Sequence, residues 1–119
     1  METGLMIRWG KVIPGREEQA LALFTEAVAY YEDLKKAGKL TSYEPFLRRT
    51  ADFAVEQGFF ILKGPVQEIF AIMESDAYKD FTTKGLLLLD HFTVEMLIVG
   101  DDVLGQLDRY DKARTALHV

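Results

Sequence analysis

The chain has 119 residues, no cysteine and a formal net charge of −5. Its length predicts one domain, 1–119, large enough to bury its own core. The absence of cysteine excludes disulfides, thiolate nucleophiles and Cys-ligated zinc. Two histidines are too few for a multi-histidine metal site, so no metal or other cofactor is expected. The negative charge argues against nucleic acid or an anionic membrane as a partner.

Neither the apolar runs of the chain nor its first residues indicate a membrane or secreted protein. The longest apolar run, 86–89, is far shorter than the roughly 20 residues that span a bilayer. The first three residues, Met1-Glu2-Thr3, are too few and too acidic to begin a signal peptide. We therefore expect a cytoplasmic protein.

The first third of the chain predicts a strand, a tight turn and a long helix. Apolar side chains alternate along 5–9, which is the period of a strand. Pro14 and Gly15 break this pattern. From Arg16 onward the apolar residues recur at helical spacing, and Gly38 ends the helix.

Two strands joined by a short loop are predicted next. The second strand candidate, Leu40 to Arg48, contains Pro45, which cannot donate to a strand ladder and therefore predicts an edge strand. Arg49 to Ala54 is the predicted hairpin loop. The third strand candidate, Val55 to Lys63, contains the run 59–62, which is apolar on both alternating faces. Such a run indicates a central strand covered on both sides.

The remaining elements are helical pieces followed by a last strand. Pro65 begins a helix, Ser75 is the N-cap of a second helical piece from Ala77 to about Thr83, and His91 to Val99 alternates as a strand. The tail, 101–119, predicts a short helix.

This order, strand-helix-strand-strand-helix-strand, predicts an α+β fold of the ferredoxin-like βαββαβ type over the core 4–100. Its four-stranded antiparallel sheet carries the helices on one face and leaves the other open. The open face nevertheless carries Met6, Leu97, Val99 and one of Phe59 and Phe60. Because large exposed apolar patches mark interfaces, we expect a second copy to cover this face in a two-fold homodimer.

Arg8 and Glu95 share that open face on neighbouring strands. Opposite charges across a strand pair contribute about 0.2–1 kcal/mol, and charges are seldom buried unpaired. We therefore predict that the two side chains pair, directly or diagonally, within or at the rim of the dimer interface. The alternative is two solvated side chains in a monomer.

Two local sequences carry a family resemblance. Residues 12–18 (VIPGREE) and 74–81 (ESDAYKDF) resemble the turns that begin the first and last helices of the dimeric α+β barrel superfamily. This superfamily includes antibiotic-biosynthesis-type and haem-degrading monooxygenases, muconolactone isomerases and stress-responsive barrel proteins. The resemblance implies that two units join their sheets into a barrel, with a ligand cavity between the sheet and helices of each. Those monooxygenases typically use an Asn with Trp, His or Tyr partners, and this chain contains no Asn.

Five residues are candidates for the pocket that the resemblance implies: Trp9, Tyr31, Tyr43, Phe60 and His91. For the aromatic residues, simple core packing is the competing interpretation. His91 is the only candidate for a catalytic base. The sequence thus favours a protein that binds a small apolar or aromatic molecule, and it leaves open a cofactor-free monooxygenase-like or isomerase-like activity. The alternative is a non-catalytic dimerisation or assembly module whose cavity is filled by side chains.

Overall fold

A computed structural model describes residues 1–50 and 56–119. Most of the predicted hairpin loop and the start of the predicted third strand lie outside these described residues. The elements, in chain order, are β1 (Glu2–Trp9), α1 (Glu17–Lys36), β2 (Ser42–Leu47), β3 (Gly58–Pro65), α2 (Val66–Glu74), α3 (Asp76–Leu88), β4 (Thr93–Leu97) and α4 (Asp102–Leu117).

The four strands form one antiparallel sheet in the order β2-β3-β1-β4. This confirms the predicted ferredoxin-like α+β architecture, with β1 and β3 in the centre. Pro45 lies on β2, at the edge of the sheet, where its missing N–H costs no ladder hydrogen bond.

Alternation along β1 separates the two faces of the sheet. Leu5 lies opposite Leu62 of β3 and Ile7 lies opposite Phe60, and all four side chains are buried in the core. Helices α1 to α3 complete this core with buried residues that include Tyr31, Ile69, Ile72 and Tyr78. Helices α1 to α3 therefore cover the face that carries the odd-numbered residues of β1.

The junction between α2 and α3 follows the predicted N-cap. Ser75 ends α2 and caps α3, because its Oγ accepts a hydrogen bond from the backbone N–H of Tyr78 at 3.3 Å. The helix that follows reaches Leu88 and is longer than predicted. Gly85 lies inside this helix. The ring of Phe92 occupies the space that a Cβ at this position would fill, so packing requires a glycine here. The glycine thus serves packing and does not end the helix.

The last strand is shorter than the predicted range His91 to Val99. His91 adopts a φ of 50°, which is incompatible with an extended strand, so β4 begins only at Thr93. At the other end, Met96 and Ile98 are 47% and 53% exposed. The reason is that β4 is an edge strand that pairs only with β1.

The tail forms a helix of 16 residues, α4, and is therefore longer than the short helix predicted. None of its residues is buried, and it packs against no other described element. The radius of gyration, 16.6 Å, accordingly exceeds the value of about 13–14 Å expected for a compact chain of this length. Among the described helices, none combines the length and apolar character needed to cross a membrane.

Candidate functional site

A cavity of about 280 Å³ lies between the covered face of the sheet and helices α1 and α3. Its walls are almost entirely apolar and are supplied by strands, helices and the segment before β4. The aromatic and large aliphatic lining residues are Ile7, Trp9, Leu21, Leu23, Phe24, Tyr31, Leu47, Phe60, Phe81, Leu89 and Phe92. An apolar cavity of this kind favours an apolar or aromatic occupant.

Trp9 forms one wall of the cavity at the end of β1. Its ring meets Phe60 edge-on, with centroids 4.9 Å apart, and meets Phe24 of α1 at 6.0 Å. Its backbone carbonyl accepts a 2.7 Å hydrogen bond from the N–H of Gln57, which precedes β3. Gly58, directly opposite on β3, leaves room for the indole. The position of the ring is therefore fixed by both strand pairing and aromatic packing.

Few polar groups face this space. Among the described lining residues they are Glu17, Gln57, Thr82 and the phenol of Tyr31. Glu17 accepts a 3.2 Å hydrogen bond from the backbone N–H of Gly15, in the turn before α1. Thr82 donates its hydroxyl hydrogen to the carbonyl of Lys79 at 3.2 Å. The cavity therefore presents an apolar interior with isolated hydrogen-bonding groups.

Buried tyrosines extend from the cavity into the core. Burial raises the pKa of Tyr31 well above its ordinary value, and Tyr78, Tyr30 and Tyr43 raise it further. Burial and the nearby charge of Glu32 raise the pKa of Tyr43 to about 12. Burial likewise raises the pKa of Tyr78 to about 12. These phenols are therefore neutral hydrogen-bonding groups at physiological pH.

These shifts predict a loss of stability in alkali. The unfolded chain releases phenol protons from about pH 10, whereas folded Tyr43 and Tyr78 hold theirs to about 12. Because the folded state then binds more protons, the free energy of unfolding falls as pH rises above about 10.

We expect Tyr43→Phe to move the alkaline unfolding midpoint, followed by circular dichroism, to higher pH. The hydroxyl of Tyr43 is buried without a hydrogen-bond partner among the described residues, so its removal also leaves no orphaned group. Tyr110→Phe is the matched control, because Tyr110 is 64% exposed. Equal midpoints for the two variants would contradict the predicted link to burial.

The structure brings Trp9, Tyr31 and Phe60 together in the cavity wall. Tyr43 is not a lining residue. It lies on the same face of the sheet but packs behind the wall, with its ring 5.6 Å from those of Tyr31 and Phe60.

His91 does not line the cavity either. It lies in the turn before β4 with its side chain 59% exposed, and its Nδ1 is 3.3 Å from Asp90 Oδ1. Its backbone is left-handed, with a φ of 50°, and it is absent from the cavity lining. The sequence could not show this, because the strand pattern extends through His91 without interruption.

Sequence reasoning missed several lining residues. Phe24 and Phe92 follow the apolar patterns of α1 and the last strand, so their burial was readable but their contact with a cavity was not. Glu17 and Gln57 carried no signal, because an acidic residue in a first helical turn and a glutamine before a strand are ordinary choices.

The open face of the sheet carries a network of charged residues. Arg8 Nη1 lies 3.2 Å from Glu95 Oε1, a diagonal pairing, since Arg8 is directly opposite Thr93. Arg8 Nε also lies 2.6 Å from Oε2 of Glu56, whose other oxygen is 2.7 Å from Arg48 Nη2. Burial favours the neutral form of Glu56, but the hydrogen bonds and charges of Arg48 and Arg8 outweigh it and lower its pKa.

The same face also carries a cluster of apolar side chains. The rings of Phe46 and Phe59 stack across β2 and β3 with centroids 4.9 Å apart. Met6, Ile61 and Leu97 complete a partly exposed patch on the remaining strands. We call these five residues the open-face patch. In one chain, none of the described helices covers it.

Comparisons with known proteins place the fold. No family model and no curated protein matches the chain. Among solved structures, it is similar to a candidate antibiotic biosynthesis monooxygenase from Deinococcus radiodurans, with 10% identity, a TM-score of 0.58 and coverage of 84% and 93% of the two chains. The chain is also similar to a dimeric ferredoxin-like protein of unknown function from Bacteroides fragilis, with 9% identity, a TM-score of 0.59 and coverage of 82% of this chain and 96% of the other. A third similar structure is a hydroxynitrile lyase from Passiflora edulis, with 9% identity, a TM-score of 0.62 and coverage of 84% of this chain and 94% of the other.

These likenesses confirm the resemblance inferred from the sequence at the level of the fold. The chain has the ferredoxin-like α+β fold of antibiotic biosynthesis monooxygenase-like proteins. Identities this low carry no substrate or mechanism. Among the described residues, no group of three or more His, Asp or Glu side chains is arranged to hold a metal ion.

Proposed function

We propose that this protein is a homodimeric α+β barrel whose subunits each bind a small apolar or aromatic molecule in the cavity beside Trp9. The observation that carries the proposal is the cavity itself. Its walls are apolar, Trp9 and Phe60 offer ring edges and faces for packing, and the buried phenol of Tyr31 supplies a neutral hydrogen-bonding group. This is the usual composition of a small-molecule site.

The volume limits the size of the ligand. About 280 Å³ lies at the lower end of the range of about 300–1,000 Å³ for ligand pockets, whereas an apolar cavity of about 150 Å³ already holds benzene. A compound of one or two rings therefore fits the space. The alternative, an assembly module with a filled cavity, receives less support because this volume is empty of side chains from the described residues.

Dimerisation is supported by the open-face patch. Its apolar side chains form a contiguous surface on a sheet with helices on one side only, and such surfaces favour association. The related Bacteroides structure is described as dimeric. Packing the patch on its two-fold copy would bury the Arg8–Glu95 pair at the interface.

Binding receives more support than catalysis. The described lining contains no histidine, lysine or arginine, and Glu17 and Tyr31 are its only groups with acid-base character. A monooxygenase-like or isomerase-like reaction therefore stays a secondary proposal, to be tested only with compounds that first prove to bind.

Trp9 provides the test of binding, because it is the only tryptophan of the chain. We expect ethylnaphthalene to change its fluorescence saturably and to give the same affinity by calorimetry. Ala27→Leu should weaken binding by about tenfold or more, because Ala27 is buried in the cavity wall and the larger side chain fills the space that the ligand needs.

Ala29→Leu is the matched control, since Ala29 lies on the exposed side of the same helix. Circular dichroism of both variants establishes that the fold is intact. Failure of ethylnaphthalene and other one- and two-ring compounds to bind the unmodified protein would overturn the proposal. Equal affinities for the two variants would place the binding site elsewhere.

A further inference from the structure

We propose that Glu17 makes the cavity selective for aromatic amines over aromatic carboxylates. This inference rests on the proposed function and adds the charge of the ligand to it. The expected ligand carries an aromatic body of one or two rings and a cationic amino group within reach of the Glu17 carboxylate.

The described lining carries negative charge and no positive charge. Glu17 is the only charged side chain among the described residues that line the cavity. Its carboxylate accepts from the uncharged N–H of Gly15, and it forms no ion pair with any described residue. The positive end of the α1 dipole lies beside Glu17, but no described lining residue offers it a full opposite charge, which a cationic ligand would supply.

The nearest cation in sequence, Arg16, keeps its charge but lies outside the lining. The guanidinium of Arg16 donates to the backbone carbonyl of Leu87, which ties the start of α1 to the end of α3. Arg16 is not a lining residue. Glu18, the next residue of the first helical turn, is exposed and does not line the cavity either. Glu17 thus stands apart from its neighbours as the charge that a bound molecule meets.

Of the other polar lining groups, Gln57 and Tyr31 can both donate and accept hydrogen bonds and do not discriminate between the two ligands, whereas Thr82 favours a ligand that donates. A carboxylate has only acceptors. Thr82 has already committed its hydrogen to the carbonyl of Lys79, so its oxygen can only accept from a ligand. An ammonium group offers three donors and no acceptor. A ligand carboxylate would instead meet like charge at Glu17, which disfavours it.

The expected size of the effect follows from the exposure of Glu17. The residue is exposed in the chain alone, so water and salt screen its charge. Exposed ion pairs are worth about 0.2–1 kcal/mol, which corresponds to a change in affinity of about 1.4- to fivefold. The effect is small but is measurable when ligands of matched shape are compared.

The experiment compares three probes that share a naphthalene body: ethylnaphthalene, naphthylmethylamine and naphthylacetate. Calorimetry at neutral pH and low salt gives the affinity of each for the unmodified protein, for Glu17→Gln and for Glu18→Gln. We expect the amine to bind most tightly and the carboxylate most weakly. Relative to ethylnaphthalene, Glu17→Gln should bind the amine more weakly and the carboxylate more tightly, by up to about fivefold each, and it should retain the fold.

Glu18→Gln removes the same charge one residue further along and should leave the order of the three affinities intact. If ethylnaphthalene binds but Glu17→Gln changes the amine and carboxylate no more than Glu18→Gln does, the selectivity assigned to Glu17 is wrong and the proposed function stands. If ethylnaphthalene fails to bind the unmodified protein, the proposed function falls and this inference falls with it.

Discussion

Gly58→Val is expected to lower the free energy of unfolding by about 3 kcal/mol or more, because overpacking a well-filled site costs about 1–3 kcal/mol and occasionally more. A Cβ at Gly58 would lie 2.6 Å from the backbone oxygen of Phe46, 2.8 Å from Cζ2 of Trp9 and 2.9 Å from Cδ2 of Leu47. A strand carbonyl cannot move aside without breaking its ladder.

The consequence reaches the cavity, because Gly58 is paired with both Trp9 of β1 and Leu47 of β2, and both neighbours line it. Thermal unfolding followed by circular dichroism measures the change, with an expected fall in the melting temperature on the order of 10 °C.

Gly105→Val provides the control. An added Cβ at Gly105, in exposed α4, would meet nothing within 4 Å, and valine is a slightly better helix former than glycine. We expect its melting temperature to stay close to that of the unmodified protein. A Gly58→Val protein as stable as the control would contradict this prediction. It would show that the packing of Gly58 against β1 and β2 is looser than these distances indicate.

Ile61→Glu is expected to dissociate the proposed dimer. Ile61 lies in the middle of the open-face patch, between Met6 of β1 and Glu44 of β2. In a two-fold interface the substitution buries one unpaired carboxylate from each subunit. An uncompensated buried charge costs about 3–5 kcal/mol, so the dimer dissociation constant should rise by about a hundredfold or more.

Sedimentation velocity at micromolar concentration measures this effect. The unmodified protein should sediment with twice the mass of one chain, and Ile61→Glu with the mass of one. Leu86→Glu is the control, because Leu86 is 64% exposed on α3, away from the patch. A monomeric unmodified protein, or a dimer that survives Ile61→Glu, would contradict the proposed packing.

The topology was predictable because each element carries a local signal. The alternation of β1, the doubly apolar run of β3 and the edge position implied by Pro45 agree with one sheet order, and the sheet has that order. The strand end near His91 was not predictable, since a left-handed residue leaves no trace in the hydrophobic pattern.

For the candidate site, the sequence could predict which side chains point into the core but not which of them line the cavity. Tyr31 and Tyr43 both point into the core, and the sequence could not tell which of them borders empty space. That difference depends on where helices and sheet diverge, which is a property of packing. The pairing of Arg8 with Glu95 follows from strand parity, whereas the part played by Glu56 depends on the chain just before β3 and had no periodic signal.

The detachment of α4 divides the chain into a part that determines the fold and a part that does not. The described contacts between the sheet and its helices all lie before Gly100, and α4 adds no buried residue to a single subunit. Within one subunit, no residue of α4 lines the cavity. We therefore expect a dye attached to an exposed side chain of α4 to report on the tail without occupying the cavity of its own subunit.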